Sequence, residues 1–123
     1  MKIEELSIGD WVRHTFYEEN VQIVRIYGDS ERVLAERGKM SISCHLNHFE
    51  PIPLTPEILE KNGFVKSELV TVIEWYHWKD IYIGFKDGLI YTSINGREIW
   101  GMRHVHQLQH ILRLAGIEKE IEL

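Results

Sequence analysis

The stretch Glu50-Pro51-Ile52-Pro53-Leu54-Thr55-Pro56-Glu57-Ile58-Leu59-Glu60-Lys61-Asn62-Gly63-Phe64 constrains the fold more than any other part of the chain. It holds all three prolines and a full set of helix start and stop signals. Pro51 and Pro53 fix their own φ and push the residues before them toward extended geometry, so the segment begins stiff. Thr55 is placed to accept the N-cap hydrogen bond, and Pro56 suits the first helical position, where no amide donor is needed. Glu57 meets the positive end of the helix and Lys61 the negative end. Gly63 is placed for the left-handed conformation that closes a helix. The cassette predicts a rigid joint, carrying one short helix, between two structured halves. It specifies architecture and no chemistry.

Before the joint the pattern is of short strands and turns. Leu6-Ser7-Ile8-Gly9-Asp10-Trp11-Val12 places a Gly-Asp turn ahead of an aromatic and β-branched run. Val21, Ile23 and Arg25 alternate with Gln22, Val24 and Ile26, which puts apolar residues on both faces, as a tightly curled sheet requires. Turns at Tyr27–Ser30 and Arg37–Lys39 separate a strand at Arg32–Ala35 from one in which Met40, Ile42 and Cys44 alternate with Ser41, Ser43 and His45. Four or five short strands in residues 1–50 predict an SH3-like small β-barrel or meander.

After the joint (residues 51–66), Leu69 to Tyr76 reads as a strand and Ile81–Phe85 as another. Asp87-Gly88 and Asn95-Gly96 are hairpin turns between apolar runs. His104 to Ala115 has Val105, Leu108, Ile111, Leu112 and Ala115 within one helical arc, with Gly116 as a stop. The alternating tail Ile117–Leu123 reads as an edge strand whose charges discourage aggregation. Residues 67–123 are thus expected to form an antiparallel sheet covered by the C-terminal helix. The class is α+β, and its three segments fit either one integrated domain or two small subdomains that share a core.

The formal charge of −5 makes an electrostatic nucleic-acid footprint a poor expectation. Cys44 is the only cysteine, so no internal disulfide forms, which suits a reducing cytoplasm. Its thiol is expected as a small buried apolar group. The acidic N-terminus lacks the apolar run of a signal peptide. No stretch approaches the roughly 18 apolar residues of a membrane helix. The expectation is a cytoplasmic protein without membrane contact.

Three groups of residues invite a chemical reading. Trp75, Tyr76, Trp78, Tyr82 and Trp100, with Phe85 and Tyr91 among them, crowd one quarter of the chain. Adjacent strand residues face opposite sides, so Trp75 and Tyr76 divide between core and surface. Exposed aromatics stack on bases or sugars or anchor a protein partner, while buried ones fill the core of a small sheet. His106 and His110 have the i, i+4 spacing that holds a metal, but no third ligand is assignable. Helical angles put both, with Arg113, on the face opposite the apolar arc, where they also read as ordinary surface residues. Glu74, among Val72, Ile73 and Trp75, is either an acid in apolar surroundings or a solvent-facing strand residue. There is no phosphate loop, nucleophile elbow or paired-cysteine motif.

The segments Pro-Ile-Pro-Leu-Thr-Pro-Glu-Ile-Leu-Glu-Lys-Asn-Gly-Phe at 51–64 and Val-His-Gln-Leu-Gln at 105–109 resemble the paired motifs of a family of short uncharacterised proteins from Bacteroidetes genomes and their phages or mobile elements. Ile-Gly-Asp-Trp-Val at 8–12 resembles that family's start. The resemblance implies a bacterial or phage intracellular origin and a two-part fold. It implies no activity, catalytic residue or cofactor.

The expected function is a non-enzymatic binding or adaptor module for a protein partner, with no cofactor. The alternatives are a small metal-dependent hydrolase using His106 and His110, and a single-stranded nucleic-acid binder working through the sheet aromatics.

Overall fold

The turn and alternation signals of the first half resolve into five antiparallel strands. They are β1 (Trp11–His14), β2 (Glu19–Tyr27), β3 (Arg32–Arg37), β4 (Met40–His45) and β5 (Phe49–Pro51). Their order, β4-β3-β2-β1-β5, with a 3-10 turn at Leu46–His48 before the last strand, is that of a curled SH3-like half-barrel. The computed structural model describes residues 1–123. Two compact units divide them: Met1–Ile52 with His104–Glu118, and Pro53–Arg103 with Lys119–Leu123.

In the first unit Val12, Val21, Ile23, Val33, Ala35, Leu46, Phe49 and Leu6 form the core, with Ile26, Met40, Ile42 and Cys44 packed against it. Each fully buried Val or Ile contributes about 1.5–3 kcal/mol by leaving water. Plain alternation places Arg25 with Val21 and Ile23 and sends Ile26 to the opposite face. The structure corrects this. The β2–β3 register shifts between Ile23 and Arg25, so Val24 is an extra, exposed residue and Ile26 turns back to the core. Such a bulge bends a strand and tightens a curled sheet.

The second helix, α2 (Val105–Leu114), belongs to this first unit and not to the second sheet, where its place in the sequence suggests it. The reason lies in Gln109. Its Oε1 accepts from the Trp11 N–H at 2.9 Å, and its Nε2 donates to the Gly9 carbonyl at 2.9 Å. One buried amide therefore serves both a donor and an acceptor at the start of β1, the Trp11 N–H and the Gly9 carbonyl, which also accepts from Gln22 Nε2 at 3.1 Å. Gln107 has a different task, its Oε1 accepting from the His104 N–H at 2.9 Å at the start of the helix.

The second unit carries α1 (Pro56–Lys61), β6 (Val65–Lys66), β7 (Glu74–Trp78), β8 (Ile81–Lys86), β9 (Leu89–Ile94) and β10 (Arg97–Ile99), the strands in order β10-β9-β8-β7-β6. The capping signals of the cassette are all used. Thr55 Oγ1 accepts from the Ile58 N–H, Pro56 opens the helix, and Gly63 has φ +86°. Both hairpins turn on pairs with positive φ, Asp87-Gly88 and Asn95-Gly96.

Two expectations for this unit are corrected. The strand predicted from Leu69 begins only at Glu74, and Leu69, Val70 and Val72 are exposed. Val65 and Lys66 already pair with His77 and Tyr76, and the Ser67 N–H donates to the Trp75 carbonyl. The residues that follow are spent on reversing the chain before β7. The tail forms no edge strand either. Asn62 grips it, donating from Nδ2 to the Glu122 carbonyl at 2.9 Å and accepting from the Glu122 N–H at 2.7 Å, while Ile121 is buried. A side-chain amide here takes the place of a sheet ladder. No helix of the protein is long and apolar enough to cross a membrane.

Candidate functional site

Strand register divides the aromatics of the second sheet between its faces. Tyr76, Ile83 and Thr92 are cross-strand partners on the buried face. The next row, Trp75, Gly84 and Tyr91, points the other way, as do His77, Tyr82, Ser93 and Glu98. Gly84 is the residue that shapes this outer face. A Cβ built on it meets Ile73 Cγ2 at 2.5 Å and Trp75 Cε3 at 2.8 Å, so the indole and the isoleucine lie directly over bare backbone. The result is a groove of about 330 Å³ whose side-chain walls include Ile73, Trp75, Tyr91, Ser93, Glu98 and Trp100.

Trp100 stands at the rim, 79% exposed, just before Gly101 turns the chain with φ +82°. Trp75 and Tyr91 are half-buried. Glu98 is the only charged side chain in the lining, is exposed, and makes no ion pair. Three aromatic rings, the hydroxyls of Ser93 and Tyr91 and one carboxylate thus surround a partly enclosed apolar space. Such a set is suited to stacking, apolar contact and a single charge interaction.

The five aromatics singled out in the sequence have four fates. Trp75 and Trp100 come together in the groove. Tyr76 is a core residue, edge-on to Phe85 at 5.8 Å, and burial together with Glu60, Glu74 and Glu57 pushes its phenol pKa up. Trp78 is already covered, with Lys79 Nζ 4.7 Å and Lys119 Nζ 4.3 Å from its ring centroid. Tyr82 is exposed on the outer face and stacks on His77 at 5.6 Å. Glu74, the acid flanked by apolar residues, is exposed.

The histidine pair of α2 has another setting. His106 does not lie on an open surface. It is buried, because the side of the helix it shares with His110 and Arg113 turns toward Asp10, which is itself fully buried. His110 Nε2 donates to Asp10 Oδ2 at 2.6 Å, Arg113 donates to Oδ1 at 3.1 Å, and the Ser7 N–H donates to Oδ2 at 2.8 Å. The His106 ring meets His110 edge-on at 5.7 Å, and its Nδ1 has no hydrogen-bond partner. Burial pushes the His106 pKa down, against the pull of the Asp10 carboxylate. No three His, Cys, Asp or Glu side chains are gathered where a metal ion would be held.

Cys44 is half-buried rather than fully enclosed, with Sγ 3.5 Å from His14 Nε2. The Tyr17 N–H donates to His14 Nδ1 at 3.2 Å, which leaves the proton of the neutral ring on Nε2, facing the sulfur. An imidazole so oriented donates to Cys44 and does not take its proton. Burial raises the thiol pKa and lowers that of His14, so both stay neutral.

Two contributions to exposed aromatic surface escape a sequence reading. Tyr91 and Glu98 join the groove only through the β8–β9 and β9–β10 registers, which alternation within one strand does not reveal. Phe16 and Tyr17, exposed in the loop after β1 and edge-on to one another at 5.1 Å, form a second aromatic surface with His14 and His48. Their signal is two adjacent aromatics in a polar turn. No family model, curated protein or solved structure matches the chain.

Proposed function

We propose that the protein is a non-enzymatic binding module that engages a protein partner through the outer face of its second sheet. The observation that carries this reading is the groove in which Trp75, Tyr91 and Trp100 surround an apolar space beside Glu98. Exposed tryptophan and tyrosine on a rigid strand surface are the side chains that most often dominate binding energy at protein interfaces. The only charged group in the groove is a carboxylate, which repels a phosphate backbone and disfavours the nucleic-acid alternative. The hydrolase alternative draws less support, because His110 is engaged by Asp10 and His106 is buried. A cytoplasmic setting of bacterial or phage origin belongs to the same reading, supported by the single cysteine and by the motif resemblance at 51–64 and 105–109.

The test is photo-crosslinking from p-benzoylphenylalanine placed at Tyr82, next to the groove, in cells of the source organism. A discrete crosslinked protein that disappears in the Trp75→Ala/Trp100→Ala background is expected. Crosslinks that persist unchanged in that background would refute the reading.

A further inference from the structure

We infer that the groove on the second sheet takes a cationic side chain, lysine or arginine, of its protein partner, with Glu98 as the counter-charge. This rests on the binding-module reading and specifies its ligand. The first ground is charge complementarity. The lining offers the faces of Trp75, Tyr91 and Trp100, whose quadrupoles attract a cation, and its only charge is the unpaired carboxylate of Glu98. No lysine, arginine or histidine of the chain contributes to the lining, so the acid has no internal cation there to satisfy it.

The second ground is the behaviour of the neighbouring indole. Trp78, on the same strand as Trp75, already holds two ammonium groups of this chain, Lys79 at 4.7 Å and Lys119 at 4.3 Å. Trp11 in the other unit carries the Arg37 guanidinium at 5.9 Å. Two of the four tryptophans are thus paired with cations from within the chain. The two without such a partner are Trp75 and Trp100, and these are the ones that share the groove with a carboxylate. The space between them suits a long aliphatic stem ending in a charge: Ile73 and the rings cover the methylenes while Glu98, exposed at the lip, meets the charged head.

The experiment follows the four indole N–H resonances of the ¹⁵N-labelled chain, assigned with single Trp→Phe variants. The probes are the peptide Ac-Gly-Lys-Gly-Lys-Gly-NH₂, its norleucine counterpart of equal length without the charge, and tetramethylammonium chloride as a free cation. The lysine peptide is expected to shift the Trp75 and Trp100 indoles and to leave Trp11 and Trp78 in place. The norleucine peptide is expected to shift none. Glu98→Gln should weaken the lysine peptide about threefold to tenfold, the scale of one partly exposed charge contact, and should remove most of its salt dependence.

Equal shifts from the norleucine peptide would overturn the inference while leaving a groove that binds through apolar contact. Shifts from tetramethylammonium but not from the lysine peptide would overturn the assignment to a protein side chain. No shift from any probe would overturn the inference outright. The binding-module reading is judged separately by the crosslinking at Tyr82. Because Glu98 is exposed, the Gln variant keeps the fold, and its unchanged amide spectrum outside the groove verifies this.

Discussion

Replacing Asp10 should unfasten α2 from the N-terminal sheet, and the loss can be worked from three contacts. The carboxylate is fully buried and accepts from His110 Nε2 at 2.6 Å, from the Ser7 N–H at 2.8 Å and from Arg113 Nη2 at 3.1 Å. The charge-assisted bond to His110 contributes about 1.5–3 kcal/mol. In Asp10→Ala the Ser7 N–H is left half-buried without an acceptor, which costs about 1 kcal/mol more. Arg113 has a 46% exposed side chain, so water replaces most of what it loses and its share is about 0.5 kcal/mol. The sum is about 4 kcal/mol, a large fraction of the ~5–15 kcal/mol that holds a typical domain together. Asp10→Asn keeps the shape and one carbonyl acceptor but not the charge, and should cost about 2 kcal/mol. Urea unfolding followed by far-UV circular dichroism measures both, with the slope against denaturant unchanged if only the native state is affected. Double-mutant cycles should give Asp10 a larger coupling to His110 than to Arg113. A loss below about 1 kcal/mol for Asp10→Ala, or the reverse order of couplings, would refute this account of how the helix is held.

Three further outcomes are expected. Gly84→Ala forces Trp75 and Ile73 off the strand and should destabilise the second unit by about 1–3 kcal/mol, read as a lowered urea midpoint together with a changed Trp75 indole resonance. Thr55→Ala removes the acceptor for the Ile58 N–H and should cost about 1 kcal/mol, with Thr55→Ser restoring most of it in the same assay. Burial holds the His106 imidazole below its ordinary value of 6.5, so the unfolded chain takes up the proton first as pH falls. The stability this confers is complete above about pH 6.5 and is lost as pH drops through the lowered native value. His14 adds in the same direction. His106→Leu should flatten the fall of the urea midpoint between about pH 7 and 5, and an unaltered profile would show that His106 does not govern it.

The α+β class, the half-barrel, the capped helix and both hairpins were legible because each is set by local chemistry: a proline, a glycine, a hydroxyl or an alternation. What stayed hidden depended on partners distant in sequence. Val24 disrupts its strand only because Ile23 and Arg25 face consecutive residues on β3. Gln109 looks like a surface residue of an amphipathic helix until its amide meets backbone a hundred positions away. Leu69, Val70 and Val72 have every property of strand residues, yet β6 already occupies the edge they would need. The groove was half legible. Trp75 and Trp100 are conspicuous in composition, whereas Tyr91 and Glu98 enter through register, and Gly84 matters for the side chain it lacks. Tyr76 and Trp78 share that composition and serve the core and an internal cation pair instead.

The helix that returns to the first unit also has a consequence for synthesis. The chain crosses between its two units at Ile52/Pro53, at Arg103/His104 and again at Glu118/Lys119. The N-terminal half-barrel therefore waits, with the carboxylate of Asp10 answered only by the Ser7 N–H, while the whole intervening sheet is translated, until His110 and Arg113 have left the ribosome. A stop codon anywhere before them truncates the second unit's tail and the first unit's last helix in one event. A fragment ending at Arg103 carries an N-terminal unit without its fastening helix and a second unit without its tail, and is the form a protease should find first.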